Sequence, residues 1–260
     1  MIRISIVTIT YNAQRSLQRT LDSVRAQTYP HIEHLIVDGA STDDTLAIAL
    51  SYQDQSPHHV VIGSEPDRGL YDAMNKGLQQ ATGDYIVFLN AGDTLHAPDT
   101  IETVVRAVTA SASPLPAVVY GDTAITDADG RFLHLRTHRP PEQLTWRSFR
   151  QGMLVCHQAF YARLDLARQF PYNLAYRHSS DVDWCIRIMK EAERQRLPLA
   201  NAHAVLADFE EGGDTTQHHR ASLMERFQVM ASHYGTLQTI LLHCWFVVRA
   251  VYRRFAGSKK

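Results

Sequence analysis

Cysteine is scarce in this chain. Cys156, Cys185 and Cys244 are the only three in 260 residues, and they lie far apart with no CxxC spacing. That excludes a disulfide framework or a structural zinc site as the organising element, and it fits a reducing cytosol. An excess of either charge is also missing. The 26 Lys and Arg balance 27 Asp and Glu to a formal net charge of −1, so no global basic field recruits nucleic acid. The N-terminus shows no signal-peptide apolar region with a cleavage site, because Met1-Ile2-Arg3 runs straight into a strand pattern. There is no internal repeat and no low-complexity tract. No GxGxxG follows the first strand pattern, which disfavours a dinucleotide oxidoreductase. The most apolar stretch, 237–251, is interrupted by His243 and Arg249 and falls short of the about 20 residues a membrane span needs.

What the chain does have is 45% apolar residues, enough for the core of one large domain or two small ones. The first half alternates strand and helix signals. Strand patterns run over 3–10, 31–38, 60–62 and 85–89, and helical spacing runs over 16–27, 42–52, 67–80 and 98–112. On the third helix, Leu70, Ala73, Met74, Gly77, Leu78 and Ala81 share a face, and Leu70, Met74 and Leu78 read as core. This rhythm predicts an α/β fold with a mainly parallel, doubly wound sheet and helices on both faces. The second half is less regular, with strand patterns over 117–125 and 131–136 and a helix over 181–194 that carries Trp184, Ile188 and Ala192 on one side.

Two acidic turns carry the functional signal. Asp38 ends the run Leu35-Ile36-Val37, and Asp93 follows Tyr85-Ile86-Val87-Phe88-Leu89 through Asn90-Ala91-Gly92. Carboxylates at such strand ends suit a nucleotide's base or ribose hydroxyls, or a hard divalent cation held against a diphosphate.

Four segments in order then resemble a known family: 4–12 (ISIVTITYN), 37–43 (VDGASTD), 71–77 (YDAMNKG) and 81–85 (ATGDY). They are similar to the glycosyltransferase family 2 enzymes of GT-A fold, and most of all to those of bacterial capsule, exopolysaccharide and O-chain assembly. The resemblance implies one GT-A domain over 1–235, with a nucleotide-sugar half at 1–112 and an acceptor half at 113–235, followed by a tail at 236–260. It implies a nucleotide-diphosphosugar donor bound by Thr10, Tyr11, Asp38, Asp67 and Asn90; on charge, Arg68 and Lys76 read as counterions of the diphosphate or equally as solvated surface cations. It also implies a divalent cation, Mg²⁺ or Mn²⁺, on Asp93. The chain departs from the family's acidic pattern at Gly39, Asn90 and Ser180.

In Ser179-Ser180-Asp181-Val182-Asp183-Trp184, alignment on the family pattern places Asp181 as general base and Asp183 beside it. His157 reads as an acceptor-side or phosphate-side group, or equally as a core histidine. The segment 210–216 reads as a flexible loop able to close over the site, with His218 or His219 near the diphosphate. His31, His34, His58 and His59 read as surface residues.

The implied activity is inverting transfer of one sugar to a hydroxyl of a glycan, in particular a polyprenyl-diphosphate-linked one, in surface-polysaccharide synthesis. Two rivals remain: a sugar-1-phosphate nucleotidyltransferase, for which Thr10-Tyr11-Asn12-Ala13 offers no Gly-rich loop, and a non-catalytic nucleotide-sugar-binding scaffold subunit. The expected location is cytoplasmic. Arg253, Arg254, Lys259 and Lys260 end the tail, which would suit a helix lying on the inner face of the membrane. A helix packed on the core, or a dimer contact, fits the same pattern. Oligomeric state is not legible.

Overall fold

The computed structural model describes residues 1–110, 114–211 and 219–257. The nucleotide half runs β1 (Ile4–Thr10), α1 (Leu17–Arg25), β2 (Ile32–Asp38), α2 (Thr45–Gln55), β3 (His59–Ser64), α3 (Leu70–Gln80) and β4 (Tyr85–Phe88). It continues through a two-residue β5 (Thr94–Leu95) to α4 (Thr100–Ala110). The second half holds β6 (Val118–Thr126), β7 (Phe132–Leu135), β8 (Phe160–Arg163), α5 (Leu164–Ala167), α6 (Ser180–Gln195), β9 (Leu199–Glu210), α7 (His219–Tyr234) and α8 (Thr236–Gly257).

One sheet joins the halves in the order β3-β2-β1-β4-β8-β6-β9-β5, with β7 on the side of β6. β3, β2, β1 and β4 are parallel, as their crossover helices require. Beyond β4 the sheet is mixed, because β8 runs antiparallel to both β4 and β6 while β9 runs parallel to β6.

Both faces of the parallel half are covered. Successive strand residues point to opposite faces, and in β2 Leu35 and Val37 join the large core under α3 while Ile36 joins a smaller cluster with Leu17 and Leu21 of α1 and Ala49 and Tyr52 of α2. Ala73, Met74 and Leu78 of α3 are buried as expected, but Leu70 is 40% exposed. It stands in the first turn, at the mouth of a cavity, where the helix has not yet reached the sheet.

His34 corrects the reading of the histidines as surface groups. It points into the sheet–helix layer with no exposure. One ring nitrogen meets Thr8 Oγ1 at 2.9 Å and the other meets Tyr52 Oη at 2.8 Å. Burial, helped by the neighbouring His58, pushes it down to about 3 from the usual 6.5, so the ring is neutral at physiological pH.

Candidate active site

Parallel register brings the chain's predicted donor-side residues to one edge. Thr10 pairs with Asp38 and Asp38 with Ser64, so the ends of β1, β2 and β3 align at the carboxyl edge of the sheet, where open α/β sheets bind ligands. Thr10 Oγ1 is buried there with no hydrogen-bond partner among the described residues. The Tyr11 ring is 64% exposed. Gly39 lets the walls close up: a Cβ at that position would lie 2.5 Å from Asp67 Oδ2 and 3.2 Å from Tyr11 Cδ2. Tyr11, Gly39 and Asp67 therefore form one face of the crevice.

Asp38 is engaged within the loop. Its carboxylate is fully buried and accepts from Ser41 N (3.0 Å), Ser41 Oγ (2.5 Å) and Ser64 Oγ (2.6 Å). It thus fixes the turn that follows β2. Arg68 pairs with Asp72 at 2.9 Å. Lys76 meets Glu65 at 3.0 Å and the Pro66 carbonyl at 2.8 Å. Both cations brace the 65–72 segment.

Across the crevice, Asn90-Ala91-Gly92-Asp93 is a tight turn in which Asp93 N donates to Asn90 O at 3.0 Å, and Gly92 adopts φ 108°, a conformation costly for other residues. Arg19 clamps it from behind, reaching Gly92 O and Glu210 Oε2 at 2.5 Å each. The Asp93 side chain is not an exposed turn tip. It is 4% exposed and accepts from Gln158 Nε2 at 2.7 Å and Glu210 N at 3.2 Å. Burial pushes its carboxyl up to about 6, against the opposing pull of the Gln158 bond and the His157 ring.

The base candidate lies one residue beyond. His157 Nδ1 stands 3.4 Å from Asp181 Oδ2, and its Nε2 stands 3.3 Å from Asn90 Nδ2. An amide N–H at Nε2 leaves the ring proton on Nδ1, facing the carboxylate. Tyr71 Oη donates to Asp181 Oδ1 at 3.0 Å. Tyr71 is itself held in a stack with Tyr172 (5.5 Å) that continues onto Trp184 (4.9 Å). Burial alone would raise the Asp181 carboxyl, but the His157 bond and charge, the Arg226 charge and the Tyr71 bond outweigh it and hold the group below the ordinary range. Asp181 is therefore ionised. Asp183 faces elsewhere: Arg187 Nε at 2.7 Å and His233 Nε2 at 2.8 Å use its two oxygens, tying α6 to α7.

The chain is similar to known proteins in sequence and in fold. The profile of "Glycosyl transferase family 2" matches residues 5–168. A PGL/p-HBAD biosynthesis glycosyltransferase of Mycobacterium bovis (strain BCG) is 34% identical over 210 residues, 80% of this chain and 77% of that protein. The chain belongs to glycosyl transferase family 2. An uncharacterized glycosyltransferase of Mycobacterium tuberculosis is also 34% identical, over 71% of this chain and 68% of its own length. Among solved structures, S. aureus TarS in complex with UDP-GlcNAc superposes with TM-score 0.70 at 16% identity, covering 88% of this chain and 64% of that one. A Pyrobaculum calidifontis mannosyltransferase in complex with GDP-Man and Mn²⁺ superposes with TM-score 0.64 at 17% identity, covering 99% and 79%. These likenesses establish the GT-A fold.

Within this family 2 glycosyltransferase, the structure brings Asn90, Asp93, His157, Asp181 and Tyr71 together, and places Thr10, Tyr11 and Asp67 along the same carboxyl edge. His218 lies outside the described residues, and of the predicted loop only Glu210 and Glu211 are described, with Glu210 ending β9. Tyr71, Gln158, Arg19 and Arg226 had no role assigned from sequence. Tyr71 sits inside a family-like segment and could have been found there; the other three carry no local signal.

The chain's donor set for a cation is small. Among the described residues no group of three His, Cys, Asp or Glu is placed to hold a metal. Asp93 supplies one carboxylate, and Asn90 Oδ1 is buried without a partner among the described residues. Two oxygens fit a Mg²⁺ or Mn²⁺ that arrives with a ligand's phosphates and keeps water in the remaining positions.

Proposed function

We propose that this glycosyltransferase moves a sugar from a nucleotide-diphosphosugar to a hydroxyl of a glycan acceptor by one inverting displacement. The observation that carries the reading is Asp181: an ionised carboxylate held by His157 and Tyr71, with His157 reaching the Asn90 turn that also carries Asp93. The donor's nucleotide lies along Thr10, Tyr11 and Asp67. UDP and GDP sugars occupy two structural neighbours, which supports a nucleotide sugar without selecting one.

Asp181 accepts the proton of the acceptor hydroxyl as that oxygen attacks the anomeric carbon. Tyr71 and His157 hold the carboxylate in place. The bond from the anomeric carbon to the diphosphate oxygen breaks in the same step, so an α-linked donor gives a β product. Asp93 and Asn90 would hold the divalent cation, which when bound neutralises charge on the leaving diphosphate. A thermal-shift panel of nucleotide sugars with and without Mn²⁺ tests the donor side, since a ligand that binds only the folded state raises the melting temperature. A shift for one nucleotide sugar is expected, and no shift for any of them would refute the reading.

Asp93→Ala is expected to abolish the Mn²⁺ dependence of donor binding. It should also destabilise the fold by about 1–3 kcal/mol, because Gln158 and the Glu210 amide lose a buried acceptor. Unchanged Mn²⁺ dependence in calorimetry would remove Asp93 from the cation.

The acceptor is a lipid-linked glycan met at an anionic membrane surface, through α8. Thr239, Leu242 and Phe246 turn that helix's inner face to the core, while Leu237 (74%), Ile240 (45%), Leu241 (63%) and Trp245 (59%) leave an apolar stripe exposed. Residues 236–260 contain Arg249, Arg253, Arg254, Lys259 and Lys260 and no acid, a charge that complements anionic headgroups. Among the described residues no helix is long and apolar enough to cross a membrane, so the contact is interfacial. Changing Leu237, Leu241 and Trp245 together to serine is expected to abolish sedimentation with phosphatidylglycerol vesicles at unchanged melting temperature. Persistent vesicle binding would contradict this, and loss of a dimer instead would identify the stripe as a self-association face.

A further inference from the structure

Asn90 and Asp93 begin and end one turn, and two consecutive side chains of the 3₁₀ turn His157–Ala159 clasp both ends. Gln158 Nε2 donates to Asp93 Oδ2 at 2.7 Å, and His157 Nε2 lies 3.3 Å from Asn90 Nδ2. The 90–93 turn is a rigid mount. Ala91 N donates to Ile9 O at 3.1 Å, Gly92 N donates to Thr20 Oγ1 at 2.9 Å, and Arg19 grips Gly92 O. His157 thus stands between a fixed amide and Asp181, with its side chain 11% exposed and that of Asp181 15% exposed.

The polarity of this chain has one consistent solution. A neutral imidazole donates from one nitrogen and accepts at the other. Were Asn90 to turn Oδ1 toward Nε2, the ring proton would have to sit on Nε2. A bare Nδ1 would then face an ionised carboxylate at 3.4 Å. With Asn90 Nδ2 donating, the proton stays on Nδ1, and both Asp181 oxygens face donors, His157 at Oδ2 and Tyr71 at Oδ1. The same orientation leaves Asn90 Oδ1, buried and without a partner among the described residues, for the cation. An acid in place of Asn90 would break the chain, because a carboxylate accepts and does not donate.

We infer that Asn90 is a positioning residue for the general base: through His157, its amide N–H keeps the ring proton on the side of Asp181. This rests on Asp181 being the base. One side chain then serves both halves of the reaction, its oxygen turned to the cation and its nitrogen to the base. An amide does both where the acid of the family pattern could serve only the cation.

The test begins with the ring. Long-range proton–nitrogen NMR of the full chain labelled with ¹⁵N-histidine, assigned by the signal lost in His157→Phe, reads which nitrogen carries the proton without metal or substrate. His157 should show a protonated Nδ1 and a bare Nε2. The opposite tautomer, or a doubly protonated ring, overturns the inference. Asn90→Asp should lower turnover by about tenfold or more, part of what a positioned base contributes. Its Mn²⁺-dependent donor affinity, read by calorimetry, should be kept or tightened, since a second acid suits the cation but draws a ring proton to Nε2. In a His157→Phe background the same change should cost no further turnover. Unchanged turnover in Asn90→Asp, or an equal loss with and without His157, overturns the inference. If Asn90→Asp does not fold, the wild-type tautomer decides. Wild-type turnover in Asp181→Asn would refute the base reading and the inference with it. Wild-type turnover in Asn90→Asp, with Asp181→Asn impaired, would overturn the inference alone.

Discussion

Asp181→Asn is expected to lower the rate of sugar transfer about 10²–10⁴-fold, the usual worth of a positioned general base, while leaving donor affinity unchanged. The amide keeps the shape of the carboxylate and still offers an oxygen to Tyr71 Oη, which donates at 3.0 Å in the native site. It cannot take a proton. Asp183→Asn separates the two acids of this helix. Asp183 sits between Arg187 and His233, so its loss weakens the α6–α7 joint and is expected in the melting temperature more than in turnover. Transfer assays alongside donor calorimetry read both variants. Wild-type turnover in Asp181→Asn would remove it as the base, and a greater loss of turnover in Asp183→Asn would move the role there.

The second large effect is on stability. His34 is neutral in the fold, with its proton affinity moved from 6.5 to about 3 by burial. Its contribution is complete above pH 6.5. Below that, the unfolded chain binds a proton that the native one refuses, and stability falls by about 1.4 kcal/mol per pH unit. By pH 3 the loss reaches roughly 4–5 kcal/mol, a large part of what a domain has. His58, also lowered by burial, acts in the same direction. Asp93 acts oppositely, because a carboxyl raised to about 6 binds its proton more readily in the native state as pH falls. The difference between wild type and His34→Gln therefore isolates the effect. Urea midpoints from pH 7 to 4 should fall more steeply for wild type than for the variant, and parallel curves would mean that His34 takes up its proton in place.

How much of this was legible depended on how local the cause was. β4 is an unbroken apolar run, β1 and β2 are rich in Ile, Val and Leu and end in Thr10 and Asp38, and α3 and α6 carry apolar residues at helical spacing, so their places could be read directly. β9 could not. Its sequence, Leu199-Ala200-Asn201-Ala202-His203-Ala204 onward, is broken by polar residues, and His203 adopts φ 52°, within a stretch where the β6–β9 register shifts. His34 read as a surface residue because its partners, Thr8 and Tyr52, lie on other elements.

The site divides in the same way. Asp38, Asp93 and Asp181 stood out because each sits at the end of a strong pattern. Sequence could not reveal that Asp38 is engaged by Ser41 and Ser64, or that Asp93 is buried against Gln158, 65 residues away.

The most direct test of the central claim is the anomeric configuration of the product, read by proton NMR after transfer from an α-linked nucleotide sugar. A β linkage formed in one step is the predicted result, because Asp181 activates the acceptor and no covalent sugar–enzyme intermediate is formed. An α linkage would contradict the single displacement, and with it the role given to Asp181.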